Sequence, residues 1–342
     1  MTKPLARLAL IGLGMATKPH LEGLDELRGR VEVSGVYNRS RAKAEAVRDT
    51  FGFPVFDSLQ AIAADPGTDG VIIATPPNQR AEIVAMMAAA GKHILMEKPV
   101  ERTMEAATAL VELCERSGVT LGIVFQHRFR AGALRLKALM DEGALGELAL
   151  ARAEIPWWRG QDYYDVPGRG TFERDGGGVL ISQAIHVLDL LLSLTGPART
   201  VQAMTATTRA HRMESEDFAT AGVIFDGGAV GSVVATTATY PGGQERIVLD
   251  GTLGTASLQG GTLSVTWRDG RTETVGETSG TGGGADPMAF PCDWHRDLIE
   301  DFAQAIATGG APAIPGRAAL RVHALIDAMV RSGASGARVE VA

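Results

Sequence analysis

The sequence predicts an α/β domain over residues 1–126 and an α+β domain with a large, mainly antiparallel sheet over residues 127–342. Three observations carry this. Up to about residue 125, short unbroken runs of Val, Ile and Leu alternate with amphipathic helical stretches, the pattern of parallel strands covered on both faces. After about residue 130, Thr- and Val-rich strands follow one another between Gly-Gly and Asp-Gly turns, the pattern of antiparallel pairing. With 342 residues, 45% of them hydrophobic and 21% charged, the chain is long enough to bury a core in each half.

Each element has its own signal. In the first half, Arg7–Gly12, Val31–Tyr37, Gly70–Ala74, His93–Met96 and Val119–Phe125 read as strands, short and mostly apolar. Between them, helical periodicity marks Lys18–Leu27, Arg41–Phe51, Ala81–Ala90 and Met104–Ser117, the last closed by Gly118. In the second half, a helix over Gly132–Glu142 precedes an aromatic, arginine-rich stretch from Pro156 to Glu173 and a hydrophobic helix over Gly178–Leu194. Strands then run from Arg199 through Arg271, forming a sheet expected to have one helix-covered face. A glycine-rich segment, Gly276–Asp286, reads as a flexible loop, and helices His295–Thr308 and Arg317–Ser332 close the chain.

Several function classes are excluded on composition. The net charge of −7 argues against a nucleic-acid partner, which needs a concentrated basic face. No apolar run reaches the ~18–20 residues of a membrane span. The apolar run near the N-terminus is short and turns straight into a glycine loop, so it reads as a buried strand rather than an export signal, and the expected location is cytoplasmic. The two cysteines, Cys114 and Cys292, have no CxxC partner, and the seven histidines show no HExxH spacing, so no metal site is expected. Cys114, inside a helical run, reads as a small core residue.

The segment Gly12, Leu13, Gly14, Met15, Ala16 lies between the first strand and the first helix. The first glycine permits a tight turn there, and the second lets the backbone approach a pyrophosphate seated at the helix N-terminus. The third glycine of the dinucleotide fingerprint is replaced by Thr17. At the end of the second strand, where an acid would bind a ribose 2′-hydroxyl, the chain has Asn38, Arg39, Ser40 and Arg41. A neutral residue beside arginines and a hydroxyl suits a 2′-phosphate, which favours NADP over NAD as cofactor. The alternative is that these arginines belong to a solvated helix start.

With the glycine loop in place, the chain resembles the Gfo/Idh/MocA family, named for glucose–fructose oxidoreductase and inositol dehydrogenase. The resemblance spans nearly the whole chain. It rests on Thr75, Pro76, Pro77 and Asn78 after the third strand and on Glu97-Lys98-Pro99 after the fourth. The block from Gly176 through Ser182, His186 and Asp189 follows, with Asp301-Phe302 near the end. The resemblance implies a Rossmann domain whose cofactor site includes Thr75, Pro76, Pro77, Asn78, Glu97 and Lys98, with a cis bond before Pro99. It implies that Lys98 lies beside the nicotinamide and the reacting hydroxyl, stabilising charge on the substrate oxygen. His186 would be the general acid/base. Two departures stand out: Ser182 replaces an Asp common four residues before the His, and Arg80 replaces a His common after the Thr-Pro loop.

On the substrate side, the thirteen residues Trp157–Arg169 hold half of the chain's four Trp and four Tyr. Flat aromatic faces with fixed donors suit a sugar or polyol, and arginines a carboxylate, so Trp158, Arg159 and Tyr163 are candidate substrate contacts. The alternative is a lid or a subunit contact. The resemblance adds Arg128 and Ser182 as substrate contacts and Arg169 as a cofactor contact. It implies an NAD(P)-dependent oxidoreductase acting on a sugar, polyol or sugar acid. A glycosidase retaining its nicotinamide and a non-enzymatic dinucleotide-binding regulator are the alternatives. A homodimer or homotetramer assembled on the open sheet is also expected.

Overall fold

The computed structural model describes residues 4–277, 283 and 290–342. Most of the expected loop Gly276–Asp286 lies outside them. In chain order the elements are β1 (Ala6–Ile11), α1 (Lys18–Glu26), β2 (Val31–Tyr37), α2 (Arg41–Phe51), α3 (Leu59–Ala64), β3 (Gly70–Ile73), α4 (Arg80–Ala89), β4 (His93–Glu97), α5 (Met104–Arg116) and β5 (Leu121–Val124). Then come α6 (Ala131–Asp141), β6 (Leu148–Pro156), α7 (Gln161–Tyr164), α8 (Ile185–Thr195), β7 (Ala198–Ala206), β8 (Phe218–Phe225), β9 (Val230–Thr236), β10 (Arg246–Gly251), β11 (Gly254–Gln259), β12 (Thr262–Trp267), β13 (Thr272–Val275), α9 (Asp293–Thr308), α10 (Gly316–Ser335) and β14 (Val339–Glu340).

The chain divides into two compact units. The first comprises residues 1–101, 105–124 and 291–320. Its five strands form a parallel sheet in the order β2-β1-β3-β4-β5. Leu8, Leu10, Ile11, Ile72, Ile73 and Ile94 are fully buried, as unbroken apolar strands between two helical layers require. The strand order reverses between β1 and β3, so the loops leaving their carboxyl ends turn toward opposite faces of the sheet and leave a crevice.

A division at residue 126 differs from these units at α9, which packs with α1, β1, β4 and β5 of the first unit. The cause is local: a Cβ on Gly23 of α1 would lie 3.0 Å from the Arg296 backbone, and one on Gly122 of β5 3.1 Å from the Phe302 ring. These two glycines let α9 approach closely, and a side chain at either would crowd it.

The second unit comprises residues 102–104, 125–290 and 321–342. Its nine strands run β13-β12-β11-β10-β6-β9-β8-β7-β14, antiparallel except for the β6–β9 pair. Helices α6 and α8 cover one face. On the other face Leu150, Met204, Val230 and Val234 are exposed. No helix among the described residues is long and apolar enough to cross a membrane. Cys114 is buried and free, and burial pushes its thiol up to about 12, which fits a core residue.

Candidate functional site

In the first unit, the carboxyl ends of β1, β2 and β3 line a cavity of about 670 Å³. Gly12, Leu13, Gly14, Asn38, Arg39, Thr75, Pro76 and Asn78 line it, together with Lys43, Gln79 and Glu82. Gly12 has φ +92°, and a Cβ there would meet the Thr75 methyl at 2.9 Å, so the first glycine is obligatory. A Cβ on Gly14 would meet nothing within 4 Å, which leaves this backbone open to a close-approaching group. Met15 and Ala16 form a 3-10 turn leading into α1. Thr75 Oγ1 is buried in the wall with no hydrogen-bond partner among the described residues. An open backbone, a helix start and an orphaned hydroxyl in one crevice fit a dinucleotide.

The loop after β2 is ordered by Asn38, whose Oδ1 accepts from Leu13 N–H at 3.1 Å and whose Nδ2 donates to Ser40 O at 3.2 Å. Asn38 therefore ties the two ends of the crevice together. Arg39 and Lys43 are exposed at its rim and form no ion pair among the described residues. Arg41 turns elsewhere: its guanidinium pairs with Glu45 and Asp57, and neither it nor Ser40 lines the cavity. Lys43 takes the place that the sequence suggested for Arg41. Its signal was available, since residues two apart near a helix start point in different directions.

Glu97 ends β4 and the turn after it carries Lys98 and Pro99, whose peptide bond is cis, as the resemblance implied. Beneath it lies Arg80, 2% exposed. Its guanidinium donates to the carbonyls of Thr75 at 2.9 Å and Lys98 at 3.4 Å, and also to those of Glu97 and Pro99. Arg80 thus clamps the Thr75–Pro76 loop to the Glu97–Pro99 turn. Burial pulls its pKa down to about 10, against the opposing charges of Glu97 and Glu101. The sequence left Arg80 without a role because four carbonyl acceptors from separate segments leave no trace in spacing.

Glu97 is buried, and its Oε1 accepts from His20 Nε2 at 2.8 Å, with His295 Nε2 at 4.0 Å. Burial raises this carboxyl, and the hydrogen bond from His20, with the charge of Lys98, outweighs it, leaving the pKa lowered. Burial, aided by His20, drops His295 to about 3, so that ring stays neutral. The donor atoms of His20, Glu97 and His295 lie within 4.8 Å of one another. Donors around a tetrahedral ion bound at about 2.0–2.1 Å sit roughly 3.3 Å apart, whereas the His20–Glu97 pair is closed by a proton. We read the hydrogen-bonded His20–Glu97 pair, with the His295 ring packed edge-on against His20, as a support under the Lys98 turn.

In the second unit, residues 180–184 form a π turn that runs into α8 and carries Ser182, with His186 on the first turn of α8. Glu216 starts this segment: its carboxylate accepts from Gly178 N at 3.2 Å and Leu180 N at 3.1 Å. A Cβ on Gly178 would fall 1.8 Å from Glu216 O, so the third glycine of the block is obligatory. His186 is 8% exposed; its ring stacks on His127 at 4.9 Å and meets Phe125 edge-on at 6.0 Å. Arg128 is engaged fork-to-fork with Asp189, at 2.7 and 2.5 Å, so its guanidinium braces α8 one turn beyond His186. Burial raises the Asp189 carboxyl even against that fork.

The aromatic stretch divides. Tyr163 lies between two guanidiniums, Arg169 at 4.9 Å and Arg159 at 5.7 Å from its ring centroid, and its hydroxyl accepts from Gln183 Nε2 at 3.4 Å. Arg169 is half-buried and 4.0 Å from Asp175. Trp158 turns the other way, against His211 at 5.7 Å and Tyr240 at 5.4 Å. Tyr163, Arg159, Arg169 and Gln183 therefore share one cluster, which Trp158 joins through its carbonyl, a hydrogen-bond acceptor for Arg159, and through His211. Gln183 was missed, because an amide in an apolar run gives no pattern of its own.

Residues 6–125 match the oxidoreductase family with an NAD-binding Rossmann fold (GFO_IDH_MocA), and residues 133–257 match the GFO/IDH/MocA C-terminal domain. The chain is 26% identical to a D-apiose dehydrogenase of Rhizobium rhizogenes, covering 97% of this chain and 96% of that one. It is 29% identical to D-xylose 1-dehydrogenase (NADP(+)) 2 of Haloferax volcanii, over 91% and 92%. The WlbA dehydrogenase of Chromobacterium violaceum, solved with NADH and UDP-GlcNAcA, superposes with a TM-score of 0.85 at 29% identity, covering 100% of this chain and 97% of that one. The chain belongs to the Gfo/Idh/MocA oxidoreductase family and is a nicotinamide-dependent dehydrogenase.

Proposed function

We propose that this dehydrogenase exchanges a hydride with a CH–OH carbon of a sugar, polyol or sugar acid, prefers NADP, and works in the cytoplasm as a homodimer or homotetramer. The observation that carries the reading is the crevice built by Gly12, Gly14, Asn38 and Thr75, with its orphaned hydroxyl. The named relatives act on D-apiose and D-xylose, which supports a sugar. Neither the glycosidase nor the regulator alternative finds support among them.

When bound, the nicotinamide supplies the hydride acceptor or donor. The chain's own residues do the rest. The backbone from Gly12 to Ala16 and the Thr75–Asn78 loop hold the dinucleotide. Lys98, on the turn braced by Arg80 and Glu97, stabilises negative charge on the substrate oxygen. His186 takes or returns the hydroxyl proton. Tyr163 and Arg159 offer an aromatic face and donors to the substrate, with Arg169 beside them on the cofactor side. Arg39 and Lys43 supply positive charge for a 2′-phosphate, in a loop with no acid at Asn38.

The test is a fluorescence titration with NADPH and NADH in one buffer. The reading expects tighter NADPH binding, and a roughly tenfold loss for NADPH alone in Arg39→Ser, the size of one charge-assisted hydrogen bond of about 1.5 kcal/mol. A clear NADH preference in the unaltered protein contradicts the NADP assignment.

A further inference from the structure

His186 can exchange a proton only if its ring is held and its neighbours carry no opposing charge. Within the second unit its ring lies 4.9 Å from that of His127, with 26° between the planes. A stacked imidazole pair tolerates one charge and resists a second, because like charges at this range raise the cost of protonation. The state of His127 therefore governs that of His186.

The state of His127 is in turn set from behind. Arg130 Nη2 lies 2.7 Å from His127 Nε2. A guanidinium N–H can only donate, so Nε2 must accept and the ring proton must sit on Nδ1. An imidazolium has no lone pair to offer Arg130, so protonating His127 sets two donors against each other. Arg130 is itself paired with Glu245, their side chains 3% and 5% exposed, and Glu245 Oε2 accepts from Trp157 Nε1 at 3.3 Å. The carboxylate cancels the guanidinium charge.

We propose that His127 is a positioning residue for His186: its neutral ring, held in one tautomer by Arg130 and Glu245, fixes the His186 ring by stacking and leaves that ring able to take up a proton. This rests on the assignment of proton transfer to His186. Two charged side chains near this helix are engaged elsewhere. Arg128 is paired with Asp189, and Glu216 caps the start of the segment. On β6, packed against α8, the buried positions are Ala151, Ala153 and Ile155.

The experiment is a histidine side-chain nitrogen NMR titration of the full chain from about pH 5 to about pH 8, the range in which imidazoles exchange protons. Spectra of His127→Gln and His186→Asn identify the two rings. His127 is expected to remain neutral with its proton on Nδ1 throughout, while His186 titrates. In Glu245→Gln the charge of Arg130 is unbalanced, and the His186 midpoint should fall by about one pH unit. The double variant Arg130→Met/Glu245→Leu exchanges the buried pair for apolar groups, a change such cores usually tolerate. It releases Nε2, and His127 should then titrate within the range. If Glu245→Gln does not fold, the double variant decides alone.

A merely structural role moves neither titration. A His127 proton on Nε2 in the unaltered protein overturns the proposal, as does a His186 midpoint and a His127 state unmoved by the variants. Turnover that survives in His186→Asn instead removes the catalytic assignment while leaving the tautomer readings intact, so the two failures are told apart.

Discussion

Replacing Arg80 by Met keeps the length and apolar stem of the side chain and removes only the guanidinium. That group is buried and serves the carbonyls of Thr75, Glu97, Lys98 and Pro99. Each carbonyl stranded away from water costs about 1–3 kcal/mol. Glu97 and Glu101 also lose the cation that offsets them, and breaking a buried charge pair costs about 3–5 kcal/mol. These terms overlap, because the chain relaxes and water enters, so the net expectation is a loss of about 3–5 kcal/mol. Arg80→Lys keeps the charge but offers a compact ammonium in place of a planar fork, so it should lose about half as much. The assay is urea unfolding of the ligand-free protein at neutral pH, followed by tryptophan fluorescence, with NADPH binding measured on the same samples. Weaker NADPH binding should accompany the lost stability, since the clamp holds Thr75 in the crevice wall. A loss under about 1 kcal/mol with unchanged NADPH binding refutes the clamp, because surface substitutions alone reach about 0.5 kcal/mol.

Two further outcomes follow from the same structure. The folded protein holds His295 near a pKa of about 3, below the ordinary histidine value of 6.5. Its contribution is therefore fully present above about pH 6.5 and is lost as pH falls, by about 1.4 kcal/mol per pH unit. His295→Phe, which keeps a ring beside His20, should thus lose about 2 kcal/mol less stability than the parent between pH 6.5 and pH 5, measured by urea midpoints; an equal pH dependence contradicts the burial of a neutral ring. On the open sheet face, Val234→Arg places a charge among the exposed apolar residues Met204, Val230 and Leu150. Light scattering at micromolar concentration should show an oligomer for the parent and a smaller species for the variant, and a monomeric parent removes the assembly on this face.

Much of the fold was legible because it rests on local periodicity. The five apolar runs of the first half are the five parallel strands, and β2 and α2 keep the limits read from the sequence. Strand β6 was not legible, although it lies at the centre of the nine-stranded sheet. Its residues, Leu-Ala-Leu-Ala-Arg-Ala-Glu-Ile-Pro, are mostly helix formers, and only the alternate burial of Ala151, Ala153 and Ile155 marks a strand. The return of α9 to the first unit was hidden because packing across a long sequence separation depends on Gly23 and Gly122, which look like ordinary glycines.

The site divides in the same way. Gly12, Gly14 and Asn38 stand at fixed offsets from a strand end, so their place in the crevice followed from spacing. Lys43, Arg80 and Gln183 act through partners distant in sequence or through a helix turn, and side-chain chemistry alone does not announce them. Arg128 and Arg41 show the converse. Both are arginines in suggestive positions, and both are engaged by carboxylates, Asp189 for one and Glu45 with Asp57 for the other. A guanidinium's partner is a property of the fold.

The most direct test of the account is steady-state turnover with NADP and NAD against a panel of aldoses, polyols and uronates, for the parent protein and Lys98→Met. Reduced nicotinamide is expected from at least one member of the panel. In Lys98→Met, kcat should fall by roughly a hundredfold or more, the usual cost of removing a group that stabilises charge on a reacting oxygen. Near-normal turnover in Lys98→Met would show that Lys98 does not stabilise the reacting oxygen.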